Sequence, residues 1–198
     1  MQKVFLIRHG ETDYNRDHRL QGALPIPLNA NGCLQAEALG LYLKDSGIEA
    51  IFSSPMIRAR QTADIIGQAL DINVYEEPRI REIAFGKFEG LTHTEIEANF
   101  PDDYRMWQSG DMSYTVPAGE SRRSVQQRMA DAWNDLKVIS DYEKIALISH
   151  GSALRILMRY LYHRVPTQTI ENTSITTLSR FDYVWEIESF AETLHLND

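Results

Sequence analysis

The chain has 198 residues, with 43% hydrophobic and 24% charged side chains, which is the composition of an ordinary globular protein. At this length we expect a single domain over residues 1–198, whose core needs no disulfide or metal for stability. The single cysteine, Cys33, excludes an internal disulfide, and the net charge of −8 disfavours nucleic acid as a partner. The short apolar run near the N-terminus cannot span a membrane or serve as a signal peptide, so a cytoplasmic location without membrane contact is the expectation.

The first half of the chain alternates strand and helix patterns. Continuous apolar or β-favouring runs predict strands at residues 4–7, 50–53 and, more weakly, 72–75. Helical spacing predicts helices over 29–47 and 58–70. The first of these helices has a predicted N-cap at Asn29 and a predicted stop at Gly47.

The second half continues the alternation. Thr92 and Glu95 form a T-x-x-E capping box, which predicts a short helix that Pro101 interrupts. Residues 109–119 are turn-rich and predict a loop, after which Ser121 is the predicted N-cap of a long helix. The remaining predicted elements are a buried strand at 145–148, a helix through 154–161, and two alternating segments at 175–178 and 184–187.

Strands that alternate with helices predict an α/β fold, here a three-layer α/β/α sandwich with a mostly parallel central sheet. In such sheets a ligand binds at the C-terminal ends of the strands. The two last segments predict a hairpin or adjacent edge strands. That edge could pair with a second copy of the chain, so a homodimer is possible, and the sequence leaves the oligomeric state open.

Polar residues follow three of the predicted buried strands: RHG at 8–10, SSPMIR at 53–58 and SHG at 149–151. If these strands are parallel neighbours, the three clusters meet at one edge of the sheet. Arginine forks match phosphate oxygens, and glycine turns let backbone N–H groups approach an anion. A helix that begins after Gly151 would add its positive end. The residues therefore predict a site for a tetrahedral phosphate, and the sequence shows no metal-binding motif, so no metal or cofactor is expected.

Five segments occur in a fixed order along the chain: RHGETDYN, SSPMIRARQTA, REIAFGKFEGLT, PAGES and ISHGSALR. In this order they resemble the successive motifs of the histidine phosphatase superfamily, also called phosphoglycerate-mutase-like. They cover roughly residues 4 to 155. One RHG tripeptide would arise easily by chance, whereas the ordered set is specific. The resemblance is to the phosphatase branch that includes α-ribazole and broad-specificity phosphatases.

The resemblance implies a role for each matching residue. His9 matches the nucleophile that forms a covalent phosphohistidine, and Glu82 matches the general acid that protonates the leaving group. Arg8 and Arg58 match the arginines that bind the phosphoryl group, and His150 matches the second histidine, which donates a hydrogen bond to the phosphoryl oxygens. The resemblance and the predicted loops also imply substrate contacts at Asn15, Gln21, Gly22 and Gly151.

Taken singly, each of these residues also has a purely structural explanation. Arg8 and His9 could end a strand in solvent, Arg58 could lie on a helix surface, and Glu82 could pair with a neighbouring arginine. Asn15 could simply form a turn. The histidines that match no motif are interpreted as structural or surface residues: His18, His93, His163 and His195.

The resemblance implies hydrolysis of a small phosphate ester without a metal. The alternative is a cofactor-dependent phosphoglycerate mutase, although the chain is shorter than typical mutases and REIAFGKFEG resembles the phosphatase branch. A catalytically inactive phosphate-binding module would have lost a histidine or the acid, and neither is missing. We expect residues 86–117 to form an insert that covers the substrate, whose identity the sequence does not reveal.

Overall fold

The computed structural model describes residues 2–139, 142–163, 167–182 and 184–196. The strands of these residues are β1 (Lys3–Arg8), β2 (Ala50–Ser53), β3 (Val74–Glu76), β4 (Lys144–Ser149), β5 (Ile175–Phe181) and β6 (Val184–Glu192). Their α-helices are α1 (Asp13–Arg16), α2 (Ala30–Tyr42), α3 (Ile57–Leu70), α4 (His93–Asn99), α5 (Pro101–Gln108), α6 (Arg122–Ile139) and α7 (Gly151–Tyr162).

The six strands form one mixed, mostly parallel sheet in the order β3-β2-β4-β1-β5-β6. β1 pairs parallel with β4, and β2 pairs parallel with both β4 and β3. β5 runs antiparallel to β1, and β6 pairs with β5 as the predicted hairpin, which places β6 at one edge of the sheet. The predicted α/β fold with a mostly parallel sheet is confirmed.

Helices cover both faces of the sheet because successive side chains of a strand point to opposite sides. Val4 and Leu6 of β1 belong to a core that includes residues of α6 and α7. Ile7 of β1 and Ile148 of β4 belong to a second core, built with residues of α2 and α3. The sheet is therefore buried on both faces, as its continuous apolar strands predict, and the three-layer arrangement is confirmed.

The predicted helix starts agree with the structure. The side chain of Asn29 accepts a hydrogen bond from the Gly32 N–H at 2.8 Å, and Thr92 and Glu95 form a complete capping box. Ser121 accepts a hydrogen bond from the N–H of Ser124 at 3.1 Å. Among the described residues, no helix is both long enough and apolar enough to cross a membrane.

Two helix ends differ from the predictions. The helix that starts after Asn29 stops at Tyr42 instead of Gly47, because the chain continues as overlapping turns that end at Gly47 with φ of +74°. Pro101 does end α4 as predicted, but it also starts α5, which the sequence did not predict. Proline is favourable at the first position of a helix, where its missing N–H is not needed.

Candidate active site

Three polar segments meet at the C-terminal edge of the sheet. His9 follows β1, Ser54 follows β2 and His150 follows β4, which lies between β1 and β2. Beside them lies a cavity of about 400 Å³, which we call the main pocket. Every predicted site residue except His150 lines the main pocket: Arg8, His9, Asn15, Gln21, Gly22, Arg58, Glu82 and Gly151.

His9 is buried and held in one tautomer. Its Nδ1 lies 2.7 Å from the carbonyl oxygen of Gly10. A carbonyl oxygen only accepts hydrogen bonds, so Nδ1 carries the proton and Nε2 keeps a free lone pair. Burial and the positive charges of Arg58 and Arg8 lower the pKa of His9 well below its ordinary value, although the Gly10 hydrogen bond opposes the shift. The imidazole is therefore neutral at neutral pH, which is the nucleophilic form.

His150 is fully buried next to His9, with the two ring centroids 5.1 Å apart. Its Nε2 lies 2.8 Å from the Ser54 hydroxyl oxygen, and its Nδ1 is buried without a hydrogen-bond partner among the described residues. Burial and the charge of Arg58 lower the pKa of His150 well below its ordinary value. His150 is therefore a second neutral imidazole, with one ring nitrogen left for a ligand or a water molecule.

Two arginines, the half-buried Arg8 and the buried Arg58, bring positive charge to the main pocket. Arg8 donates to the carbonyl oxygen of Ile170 at 2.7 Å, and Arg58 donates to the carbonyl oxygens of Gly22 at 2.8 Å and Leu24 at 3.0 Å. The Nε of each arginine is buried without a hydrogen-bond partner among the described residues.

The same burial acts on both guanidinium groups. It lowers the pKa of Arg58 to about 10 and also lowers the pKa of Arg8. Both groups stay charged at neutral pH, and each would gain from an anion that binds beside it.

Glu82 is buried at the first turn of α7. Its Oε1 accepts hydrogen bonds from the backbone N–H groups of Ile83 at 2.9 Å and Ala153 at 3.0 Å. Its Oε2 accepts one longer bond, of 3.2 Å, from the N–H of Ser152. Amides at the start of α7 thus bind this carboxyl group, although the sequence analysis expected the positive end of that helix to act on phosphate. Glu82 does not pair with a neighbouring arginine, so that structural alternative is wrong.

Asn15 and Gln21 contribute side chains to the wall of the main pocket. The Oδ1 of Asn15 accepts from Thr12 N–H and from the Nδ2 of Asn172, which also donates to the carbonyl oxygen of His9 at 2.9 Å. This leaves the donor end of the Asn15 amide for a ligand. The Oε1 of Gln21 is buried with no hydrogen-bond partner among the described residues.

Gly22 and Gly151 contribute backbone to the main pocket. Gly22 has φ of +50°, and a side chain there would collide with the carboxyl group of Glu89. Its carbonyl oxygen accepts from Arg58, so this loop positions a guanidinium group. Gly151 is the first residue of α7, where a Cβ would lie 3.6 Å from the Nε of Arg8.

Thr62 and Arg128 hold the backbone around the main pocket, and the sequence analysis gave neither a role. The Thr62 hydroxyl accepts from the N–H of Gly10 at 3.0 Å and donates to the carbonyl oxygen of Arg58 at 2.7 Å. Arg128 binds Glu120 through two hydrogen bonds of 2.9 Å and donates to the carbonyl oxygen of Glu82 at 3.1 Å. The contact of Thr62 with Gly10 and that of Arg128 with Glu82 join residues 52 and 46 positions apart, and contacts of this range leave no signal in the sequence pattern.

His93 is exposed, as a surface residue would be, but it also lies in the wall of the main pocket, where the sequence gave it no role. Its Nδ1 lies 3.2 Å from the hydroxyl of Tyr104, and its ring contacts Trp107. His93 is the first residue of α4. The residue before it, Thr92, forms an isolated β-bridge with Arg19 of the pocket wall, which brings His93 to the pocket. In the part of the chain that the structure describes, no cluster of His, Cys, Asp or Glu side chains could hold a metal ion.

This arrangement of two neutral imidazoles, two arginines and a carboxyl group agrees with the sequence motifs. Residues 4–193 match the family model of the histidine phosphatase superfamily, branch 1. The chain belongs to the histidine phosphatase superfamily, whose members are phosphatases and phosphate mutases, and the expected family is confirmed.

The chain is similar to curated and solved members of the family. It is 34% identical to a probable phosphoglycerate mutase, GpmB, of Proteus mirabilis, over all of this chain and 96% of that protein. A phosphoserine phosphatase mutant from Entamoeba histolytica, solved with phosphoserine, is 33% identical, with a TM-score of 0.87 over 99% of this chain and 100% of the other. YhfR of Bacillus stearothermophilus has a TM-score of 0.90 at 29% identity, over 98% and 99% of the two chains.

Proposed function

We propose that the protein is a phosphomonoesterase that hydrolyses a small phosphorylated metabolite through a phosphohistidine on His9. The observation that carries the proposal is the hydrogen bond from Nδ1 of His9 to the carbonyl oxygen of Gly10, at 2.7 Å, in a residue whose pKa is lowered. A neutral imidazole whose proton is fixed on one nitrogen can attack with the other. The phosphoserine complex of a relative that is 33% identical adds support for a small phosphate ester as substrate.

In the first step, Nε2 of His9 attacks phosphorus and forms the P–N bond. The P–O bond to the alcohol breaks, and its electron pair goes to the alcohol oxygen, which takes a proton from Glu82. Arg8 and Arg58 bind the phosphoryl oxygens throughout, where positive charge stabilises the charge that shifts in the transition state. Proton donation to the leaving oxygen by a positioned carboxyl group is general acid catalysis.

Oε2 is the oxygen of Glu82 that is placed to carry this proton, because it accepts a single hydrogen bond of 3.2 Å whereas Oε1 accepts two shorter ones. In the second step, a water molecule attacks the phosphohistidine and gives its proton to Glu82. The P–N bond breaks, its electron pair returns to Nε2, and inorganic phosphate leaves. Positioned proton transfer of this kind typically contributes about 10²- to 10⁴-fold in rate.

His150 is assigned as a hydrogen-bond donor to the phosphoryl group. If the Ser54 hydroxyl donates to Nε2 of His150, the proton of the neutral ring lies on Nδ1, the nitrogen without a partner. The donor end of Asn15 and the backbone near Gly22 and Gly151 complete the proposed phosphate contacts, with Gln21 beside them.

We also propose that residues 86–117 cover the substrate. His93 of this segment lines the main pocket, and Trp107 lines an adjoining cavity. These side chains lie in the part of the chain where relatives with different substrates are expected to differ, because function resides in the site more than in the fold.

The test of the proposal is hydrolysis of p-nitrophenyl phosphate and of a panel of phosphorylated metabolites by the purified protein. We expect turnover without added divalent metal and in the presence of chelator, and we expect His9→Ala to abolish it. The matched control is His18→Asn, at an exposed histidine with φ of +53°, a conformation that asparagine tolerates. Turnover that survives in His9→Ala, or that is lost in chelator, would remove the mechanism.

Phosphoglycerate mutase activity is the second candidate, because the curated relatives at 34% identity carry that name. A mutase must return the phosphoryl group to a substrate, so it has to shield phosphohistidine from water. A coupled assay with 3-phosphoglycerate and catalytic 2,3-bisphosphoglycerate distinguishes the two activities. We expect release of inorganic phosphate to exceed formation of 2-phosphoglycerate, and the reverse ratio would favour the mutase.

A further inference from the structure

A second pocket of about 250 Å³ adjoins the main pocket. The two cavities share four wall residues: Phe85, Gly151, Ser152 and Arg155. The other walls of the second pocket are Ile83, Trp107, Arg122 and Ile156. Because the wall is shared, a molecule whose phosphate lies in the main pocket can extend directly into the second one.

Arg122 is the unusual residue of the second pocket. It is the first residue of α6, and its guanidinium carbon lies 5.4 Å from the centre of the Trp107 ring, over the ring face. Its Nη1 is buried without a hydrogen-bond partner among the described residues, and so is the indole Nε1 of Trp107. A buried donor without an acceptor costs free energy, most of all on a charged group. Both side chains line the second pocket, so an acceptor from outside the chain reaches Arg122 by entering this cavity.

The positive charge of the second pocket also indicates that its ligand is an anion. Within the described residues, its wall contains two arginines, Arg122 and Arg155, and no acidic side chain, in a protein whose net charge is −8. Arg155 already donates to the carbonyl oxygen of Gln168 at 3.1 Å, whereas the Nη1 of Arg122 has no acceptor there. Asp111 acts electrostatically on Arg122 but does not line the pocket, and its carboxylate accepts the backbone N–H and the hydroxyl of Ser113. Burial lowers the pKa of Arg122, and a bound anion would offset that cost.

We propose that the second pocket binds a second anionic group of the substrate and that Arg122 determines this specificity. The inference rests on the proposed function, because the phosphoryl group must lie in the main pocket. The substrate class is then a phosphate monoester whose alcohol carries a carboxylate or a further phosphate. Ile83, Phe85 and Ile156 form an apolar wall for the short carbon chain that joins the two anions. Arginine forks bind either anion, so the test separates carboxylate from phosphate.

The experiment compares three synthetic esters of equal chain length: n-butyl phosphate, its analogue with a terminal carboxylate, and its analogue with a terminal second phosphate. The quantity measured is the ratio of kcat/KM for each charged ester to that for n-butyl phosphate. We expect the wild type to prefer at least one charged ester. We expect Arg122→Gln to lower that ratio about tenfold or more, as for the loss of a hydrogen bond to a charged group.

Arg123→Gln is the matched control, because Arg123 is the next residue of α6 and its side chain is exposed. We expect this variant to keep the wild-type ratio, and Arg122→Lys to recover part of the ratio because it restores the charge but not the fork. The charged ester that Arg122→Gln affects more identifies the anion. A ratio near one in the wild type, or an equal ratio in Arg122→Gln and Arg123→Gln, overturns the proposal.

A binding measurement keeps the subsite and the catalytic mechanism distinguishable. In the His9→Ala background, calorimetry gives the Kd of each ester without turnover. We expect the preference for the charged ester to persist there and to fall about tenfold when Arg122→Gln is added. If the wild type hydrolyses none of the esters, the proposed function fails and this preference still supports the subsite. A Kd ratio that Arg122→Gln leaves unchanged overturns the subsite, even when hydrolysis is normal.

Discussion

Two buried arginines of this protein have opposite surroundings. Arg128 is 9% exposed and binds Glu120 with two bonds of 2.9 Å, while its other N–H groups reach the carbonyl oxygens of Arg79, Arg81 and Glu82. Arg58 is 1% exposed, forms no ion pair within the described ranges, and keeps a buried Nε without a partner.

The difference separates a structural charge from a charge that is available to a ligand. Arg128 forms an ion pair with the carboxylate of Glu120, so its charge is compensated within the fold. It also donates to the carbonyl oxygen of Glu82 and thereby fixes the backbone at that residue. Arg58 is held in place by neutral carbonyl oxygens, so its positive charge still acts on the main pocket. Glu82 and Glu89 act on Arg58 electrostatically, but neither forms an ion pair with it among the described residues. A buried charge without a direct ion pair is costly, and such cost is concentrated at functional sites.

The largest expected effect is on catalysis. Arg58→Met keeps the approximate volume of the side chain and removes the charge, so we expect kcat/KM for phosphate esters to fall about 10²- to 10³-fold, as when a preorganised donor to a developing anion is lost. We expect the free energy of unfolding to change by less than about 1 kcal/mol, because the variant also loses a costly buried cation. Steady-state kinetics and urea unfolding check the two results. Near-normal activity would show that Arg58 is structural.

The second effect is on stability. Arg128→Met leaves the half-buried Glu120 carboxylate with only its contacts of 3.3 Å to Arg81 and Ser124, so we expect the free energy of unfolding to fall by about 3 kcal/mol. Urea unfolding of this variant and of Arg58→Met gives the comparison directly. The double variant Arg128→Met with Glu120→Leu should recover part of the loss, because it removes both charges. If Arg58→Met proves the less stable variant, the distinction between the two arginines is wrong.

The third effect is stabilisation by phosphate. Inorganic phosphate at about 100 times its Kd should raise the free energy of unfolding of the wild type by about 2.7 kcal/mol, because it binds only the folded state. Arg58→Met should lose this gain, whereas Arg105→Gln, at an exposed arginine of α5, should keep it. Thermal unfolding of the wild type and of each variant, with and without phosphate, measures this gain in stability. An equal gain in both variants would place the anion elsewhere.

The smallest expected effect of a single substitution is on the dependence of stability on pH. The pKa values of His9 and His150 are lowered in the folded protein, so below the ordinary histidine pKa the unfolded chain binds protons that the folded chain does not. Stability therefore falls as pH decreases from about 6.5 toward the folded pKa values, by up to about 1.4 kcal/mol per pH unit for each histidine. His9→Gln and His150→Gln should each flatten this slope, as measured by urea unfolding from pH 7.5 to about pH 5.

A pH slope that both substitutions leave unchanged would contradict the buried neutral imidazoles. The same shift predicts that esterase activity does not fall near pH 6.5 from protonation of His9, because the nucleophile stays neutral to lower pH.

The sequence predicted the features that depend on local pattern and on strand order. The apolar runs that form β1, β2 and β4 are distinct because both faces of each strand are buried, and parallel pairing then brings His9, Ser54 and His150 to one edge. The capping residues were also predictable, since a cap acts within one turn of chain.

The features that were missed depend on contacts between distant segments. His93 reaches the main pocket because its neighbour Thr92 pairs with Arg19, which belongs to the pocket wall. The hydrogen bond between Gly10 and Thr62 likewise joins residues that are 52 positions apart. The role of Pro101 was ambiguous because proline both ends a helix and starts one. Helical spacing places Arg122, unlike the exposed Arg123, on the inner face of α6 with Val125 and Met129, but no pattern in the sequence shows that its Nη1 is buried without a hydrogen-bond partner.

The central claim is that the phosphoryl group passes through a covalent bond to Nε2 of His9. The direct measurement is mass spectrometry of the protein quenched in alkali during turnover and digested with trypsin. We predict one added phosphoryl group on the tryptic peptide that ends at Arg16, in which His9 is the single histidine, and none in His9→Ala. A phosphoryl group on a different peptide, or turnover with no labelled peptide at any time, would contradict the account.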